Sequence, residues 1–299
     1  MEPKKFWVRN YKSLRDASIE FPTKLTIVVG PSGSGKTALV EAFEALRNVH
    51  SHGMADAAVG VEVWHEKCRI VYELSGDKKI TITDCNADEA DKAIQMFLNN
   101  IVVIKDVNWK AVRSPQPITK ETAVLLPDAS NVVPFLFTMT KGVIPESLVE
   151  ALRYVLPIKE MWFDDSGGVL TLKLVTENGV VLTQATAPSG LLKTLIIEAA
   201  LMMRPTMMVI DEFENSLDPE AQQFLIDELR SYDIYAVLIT HSEVVLDYVK
   251  TPKEVVMLRL VGGSTVARRL GDETEESLKR SELTLSELIG SGFLEPLVF

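Results

Sequence analysis

The chain has 299 residues, 46% hydrophobic and 24% charged, which is room for one large domain or two ordinary ones and excludes a disordered chain. A net charge of −11, from 31 basic and 42 acidic residues, argues against a surface that grips nucleic acid throughout and leaves only weak binding through a local basic groove. Short apolar runs such as 101–104 and 244–246 fall far below the roughly 20 residues of a membrane-spanning helix, so no membrane association is expected.

Residues 6–8 and 18–21 are β-prone runs on either side of a polar stretch, 10–16. Leu25-Thr26-Ile27-Val28-Val29 is almost continuously apolar, as a strand covered on both faces should be. A glycine-rich stretch follows at 30–35, and then Ala38, Leu39, Ala42, Phe43 and Leu46 recur at helical spacing. Residues 59–83 read as antiparallel strands (VGVEVWH, CRIVYEL, KKITIT), 88–99 as a helix and 101–105 as a strand. From 107 to 134, four prolines and little periodicity predict a long irregular segment, a kind that is often functional. A helix is expected at 147–155, and hairpins at 161–186 with turns at 166–168 and 177–179. The pattern then returns to helix (191–203), strand (207–210), amphipathic helix (221–231) and strand (236–239). A hairpin around 262–264, a charged stretch at 272–279 and a short helix near 283–289 complete the chain, with no internal repeat and no sustained heptad run for a coiled-coil arm. Two cysteines, Cys68 and Cys85, with no CxxC, exclude a disulfide scaffold and a zinc ribbon and fit a reducing cytoplasm. The basic N-terminal stretch lacks a following apolar run and a cleavage site, so a soluble cytoplasmic protein is expected.

Gly30-Pro31-Ser32-Gly33-Ser34-Gly35-Lys36-Thr37 matches G-x-x-x-x-G-K-[ST] in full, between a buried strand and a helix. Such a loop turns backbone N–H groups toward phosphate oxygens, with Lys36 on the β- and γ-phosphates and the Thr37 hydroxyl on Mg²⁺. Further on, the apolar strand 207–210 ends in Asp211 and Glu212. In a P-loop protein the first carboxylate holds Mg²⁺ and the second positions or deprotonates the attacking water. The residues therefore point to a nucleotide and Mg²⁺, and the nucleotide is ATP by the resemblance that follows.

Three further pieces follow the same order as in a known family. Pro188-Ser189-Gly190-Leu191-Leu192-Lys193 opens a helix, Phe213 to Pro219 continues from the acidic pair, and Leu238-Ile239-Thr240-His241-Ser242 ends the next strand. With the P-loop and the acidic strand, they resemble the ABC-type ATPases, and within them the RecF/SMC-like branch. Asn10-Tyr11-Lys12-Ser13-Leu14 is similar to that branch's N-terminal element, and 126–136 (LPDASNVVPFL) to a segment of its compact members.

The resemblance implies an α/β P-loop NTPase fold of ABC type. Its parts would be a central mostly parallel sheet, an antiparallel β subdomain and a small helical lobe carrying the signature motif. A single domain over 1–299 is expected, with a nucleotide-binding core at 1–105 and 200–270, an inserted lobe at 106–199 and a tail at 271–299. It also implies that Ser189 and Gly190 form the signature, Ser216 to Asp218 the D-loop and His241 the switch histidine, with Lys12, Ser13, Ala38 and Asp218 near the nucleotide. ATP would then sit between two copies in a head-to-head homodimer that works with a protein partner in DNA maintenance or in defence against foreign DNA. The signature is reduced to Ala187-Pro188-Ser189-Gly190-Leu191, and the Asn common inside this branch's P-loop is Ser32. The glutamine expected near the metal has Gln116 as its candidate, with Gln95 behind it. A transporter's nucleotide-binding subunit and an ATP-gated switch without turnover are the alternative readings.

Overall fold

A computed structural model of the chain describes residues 1–47, 56–75, 77–83, 86–118, 124–242, 244–281 and 283–291. Two units are distinguished, the first formed by Met1–Val103, Thr206–Phe213 and Leu229–Phe299, the second by Ile104–Pro205 and Glu214–Glu228.

In the first unit, β1 (Glu2–Tyr11) and β2 (Leu14–Glu20) turn Phe6, Val8, Ala17 and Ile19 inward and their polar neighbours outward. This is the period of two that a sheet covered on one face demands. The strands run further than the sequence pattern suggested. Tyr11 still pairs with Leu14, so the expected polar loop shrinks to Lys12 and Ser13, with Lys12 in the left-handed region at φ 53. The polar residues of 10–16 occupy the sheet's open face or its turn, where alternation hides a strand. With β4 (Ala58–His65), β5 (Cys68–Ser75) and β6 (Asp77–Thr83), the order is β2-β1-β4-β5-β6, antiparallel throughout.

A second sheet contains β3 (Leu25–Val29), β7 (Ile101–Ile104), β12 (Met207–Ile210), β13 (Tyr235–Ile239), β14 (Val255–Val261) and β15 (Ser264–Arg269) in the order β15-β14-β3-β13-β12-β7. Neighbours from β14 to β12 are parallel, and β15 closes one edge antiparallel. α1 (Lys36–Arg47) and α2 (Ala87–Asn99) join the inward faces of both sheets in one core, which reaches from Phe6 and Tyr72 to Val209 and Val237. Phe6 stacks on Phe43 of α1 with centroids 3.9 Å apart, which ties the first strand to the helix that follows the glycine-rich loop. Near the C-terminus, Ser286 of α10 (Leu285–Gly290) donates to Asp247 of α8 (Val244–Asp247), after α9 (Asp272–Ser281).

The second unit holds α3 (Trp109–Val112), β8 (Gln116–Pro117), α4 (Val132–Thr140), α5 (Glu146–Arg153), β9 (Ile158–Asp165), β10 (Val169–Thr176), β11 (Val181–Thr183), α6 (Ser189–Met202) and the start of α7 (Pro219–Ser231). β10 has β9 along one edge, and β8 and β11 share the other. α6 is buried at every position from Leu191 to Leu201, with Lys193, Thr194 and Glu198 among its apolar residues, and packs on α4 and α5. The segment 107–134 is less irregular than expected. It contains α3, capped by Asn108 accepting from Ala111 N at 3.1 Å, then β8 and the start of α4. α4 escaped notice because it is apolar without a stripe, and Pro134 falls in its first turn, where a missing N–H costs no helical bond.

Among the described residues no helix is long and apolar enough to cross a membrane. Cys68, on β5, is disulfide-bonded. Cysteine count and spacing do not reveal where strands place the thiols. Cys85 lies outside the described residues.

Candidate functional site

Three adjacent strands of the first unit deliver the site. β12, β13 and β3 are parallel, with Ile210 opposite Leu238 and Ile239 opposite Val28, so all three finish on one edge of the sheet. Beyond β3 lies the loop from Gly30 to Thr37, beyond β13 lie Thr240 and His241, and beyond β12 lie Asp211 and Glu212. Strands about 4.8 Å apart bring these three segments side by side, where open α/β sheets hold ligands.

In the loop, Ser34 N donates to Pro31 O at 3.1 Å and Leu39 N to Gly35 O at 3.0 Å, so the turn runs directly into α1. Gly35 must be glycine twice over. Its φ is +100, and a Cβ there would lie 2.3 Å from Thr265 Oγ1 and 3.0 Å from Ser13 Oγ. Thr265 Oγ1 donates to Ser13 Oγ at 2.7 Å, and Thr265 N donates to Ser13 O at 2.7 Å. The β1–β2 turn and the β14–β15 hairpin are thus pinned together against the loop.

Pro31, Ser32, Gly33 and Thr37 are exposed, while Ser34, Lys36 and Ala38 are buried. The Lys36 ammonium donates to Gly30 O at 2.5 Å and Pro31 O at 3.0 Å, fixing the loop's first turn from within. The Ser34 hydroxyl is buried with no hydrogen-bond partner among the described residues, an orphaned polar group inside the loop. Lys12 is held by Glu41 of α1 in an ion pair.

Glu212 takes a left-handed φ of 45, a conformation that costs a non-glycine residue about 1–3 kcal/mol. Two hydrogen bonds hold it there. Glu212 N donates to Asp211 Oδ1 at 3.0 Å, and Phe213 N, whose side chain is fully buried, donates to Ile239 O at 3.0 Å. The chain turns sharply between these anchors and leaves the Glu212 carboxylate exposed at the edge. On the neighbouring strand, Thr240 N donates to Val28 O at 3.1 Å and Ser242 N to Thr240 Oγ1 at 2.9 Å, which leaves His241 exposed beside the loop. Thr37 and Asp211 offer hard oxygen donors, and among the described residues no group of three or more His, Cys, Asp or Glu forms a cage. So sparse a donor set fits Mg²⁺, which keeps waters and takes its other ligands from phosphates.

The second unit contains the remaining expected residues. Ser189 opens α6, whose N-terminus has no side-chain cap and no acidic residue in its first turn, so no side chain of that turn offsets its positive end. Gly190 is needed for packing, since a Cβ there would lie 2.7 Å from Ser216 O. The Ser216 turn, at φ 70, is therefore pressed against the start of α6. Asp218 Oδ1 accepts from Ala221 N at 2.8 Å and caps α7. Gln116 is buried, its Nε2 donating to Ala111 O at 2.7 Å while its Oε1 has no partner among the described residues.

One residue here escaped the sequence reading. Arg113, at the C-terminal end of α3, donates through Nη1 to Ala185 O at 3.1 Å and Ala187 O at 2.8 Å, and through Nη2 to Ser189 Oγ at 2.7 Å. Nothing local in the sequence marks a lone arginine whose partners lie more than 70 positions away.

A family model described as "AAA ATPase domain" matches residues 1–134, and one described as "AAA domain, putative AbiEii toxin, Type IV TA system" matches residues 126–247. Among solved structures, an Smc head bound to the C-winged helix domain of ScpA aligns with a TM-score of 0.65 at 15% identity, over 93% of this chain and 100% of that one. The SMC head domain from Thermotoga maritima gives 0.58 at 15% identity over 91% and 100%. An Smc head domain with an extended coiled coil, bound to the C-terminal domain of ScpA derived from Pyrococcus furiosus, gives 0.60 at 13% over 93% and 98%. At such identities the likeness is one of fold, and the fold is that of the SMC head.

Proposed function

We propose a working cycle for this chain, an ABC/SMC-like AAA ATPase by family matches and fold: it binds Mg-ATP on the Gly30–Thr37 loop and hydrolyses it after closing head to head on a second copy. The observation that supports this best is the convergence of the loop, Asp211-Glu212 and His241 at the ends of three adjacent parallel strands. Lys36 and the loop's N–H groups hold the β- and γ-phosphates. Thr37 and Asp211 would hold Mg²⁺, which supplies positive charge to the phosphate oxygens when bound, and Gln116 is the candidate for the glutamine near it. Glu212 orients the attacking water and accepts its proton, and His241 faces the γ-phosphate. Lys12, Ser13 and Ala38 support the loop and the helix behind it. Ser189, Gly190 and Asp218 of the second copy complete the site, since a helix N-terminus with no acidic residue in its first turn suits a phosphate.

ATP as substrate supports a cytoplasmic location. The Smc heads bound to ScpA domains support work through a protein partner, and the family description naming a putative toxin supports defence against foreign DNA as the setting. Glu212→Gln tests the reading. It preserves shape and hydrogen bonding, so ATP should still bind, turnover should fall by at least about 100-fold and an ATP-bound dimer should accumulate on gel filtration with Mg²⁺. Wild-type turnover in this variant would move the catalytic role elsewhere. Wild-type protein that fails to complete a single turnover would favour an ATP-gated switch.

A further inference from the structure

We infer that Arg113 is a further positioning residue of the composite site, acting on a nucleotide bound by the opposite copy. The inference rests on the head-to-head reading above. From Ala187 to Leu191, the segment that would meet the phosphate carries one polar side chain, Ser189. Arg113 supplies a second. Its two Nη1 bonds fix the backbone at Ala185 and Ala187, immediately ahead of α6, and its Nη2 bond takes a lone pair of Ser189 Oγ.

This last bond sets the sense of the hydroxyl. An oxygen that accepts from a guanidinium keeps its own hydrogen for another acceptor, and among the described residues Ser189 has no such acceptor. The first intrahelical bond of α6 is Leu192 N to Pro188 O at 3.2 Å, so the N–H groups of Ser189, Gly190 and Leu191 precede the ladder. Most groups at this point are donors, namely one hydroxyl, three backbone N–H groups and the guanidinium, with Ser216 O the carbonyl packed beside Gly190. Among the described residues no carboxylate pairs with Arg113, so its charge remains available. A site in which donors outnumber acceptors and the net charge is positive suits an anion with several oxygens. On the opposite face of a dimer, that anion is the terminal phosphate of a nucleoside triphosphate. Gln184, buried, braces the same seam, its Nε2 donating to Ser114 O at 3.2 Å and its Oε1 accepting from Leu172 N at 2.6 Å.

The test separates a role across the dimer from one in folding. Arg113→Ala and Arg113→Lys are each made alone and on the Glu212→Gln background. The lysine variant keeps the charge but cannot make the three-point contact. ATP affinity by calorimetry should stay within twofold of the parent, because the loop from Gly30 to Thr37 is untouched. The dimer dissociation constant with Mg-ATP, by sedimentation velocity, should rise at least about tenfold in both variants, and kcat of Arg113→Ala should fall about 100-fold. Arg113→Ala mixed with Lys36→Ala should then recover activity, because one site of the mixed dimer has an intact loop and an intact opposite segment. Unchanged dimerisation and kcat in both variants would overturn the inference, as would a parallel loss of ATP affinity and melting temperature. The reference is the mixture of Ser189→Arg with Lys36→Ala. Recovery there without recovery for Arg113→Ala overturns the role of Arg113 alone, whereas failure in both overturns the composite site and this inference with it.

Discussion

At the scale of single residues, Lys36 organises the loop from within and is also the cation proposed for the phosphates. Its ammonium satisfies the carbonyls of Gly30 and Pro31 from a buried position. Lys36→Ala removes the one cation assigned to the β- and γ-phosphates, and ATP affinity by calorimetry should fall at least about 100-fold. Unchanged affinity would sink the assignment of the loop. The placement of Lys36 and Glu212 was legible in the sequence because both sit in contiguous motifs behind apolar strands. The strained φ of Glu212 was not, since it depends on Phe213 N reaching Ile239 O across the sheet. Ser13 was legible only as part of a family element. Its partner Thr265 had no signal at all, because hydrogen bonds between residues 252 positions apart leave no local pattern. Arg113 is hidden for the same reason.

At the scale of elements, period and length carried most of the architecture. β3, β12 and β13 were recognisable as short continuous apolar runs because parallel strands are covered on both faces. α4 was not, having no polar face to define a stripe. α6 was recognised as apolar, but its buried acid changes how the helix should respond to pH. Burial first, and then a hydrogen bond and charge repulsion from Glu228 of α7, push the Glu198 carboxyl up to about 9 from 4.5. The acid is thus protonated in the folded unit and ionised in the unfolded chain over that interval. The stability it contributes is complete below about pH 4.5 and is lost progressively as pH rises toward 9. Glu198→Gln keeps a donor for Glu228 and removes the titration. Its melting temperature should exceed that of wild type at pH 8, by about 2–4 °C per kcal/mol recovered, and vary less between pH 5 and 8. An equal fall at both pH values would show that the carboxyl does not titrate between the two helices.

At the scale of the whole molecule, the loop and the acidic pair lie in one unit, and Ser189, Gly190 and Asp218 lie in the other. The sequence supplied these residues in order along the chain, but order cannot say whether they act on the same nucleotide or on one held by a second copy. A mixing experiment decides this. Ser189→Arg puts bulk at the start of α6, already crowded by Arg113, and should block closure while ATP still docks on its own loop. Lys36→Ala fails for the opposite reason, with its loop disabled and its α6 segment intact. A mixed dimer of the two has one site with both halves broken and one with both halves sound. Two inactive proteins should therefore regain ATPase activity on mixing, at most half the wild-type rate per mixed dimer if the sites act independently. A self-contained enzyme would regain nothing. Two affinity tags, purified in sequence, show whether mixed dimers have formed. With those dimers in hand and no activity in either steady-state or single-turnover assays, independent composite sites would be ruled out.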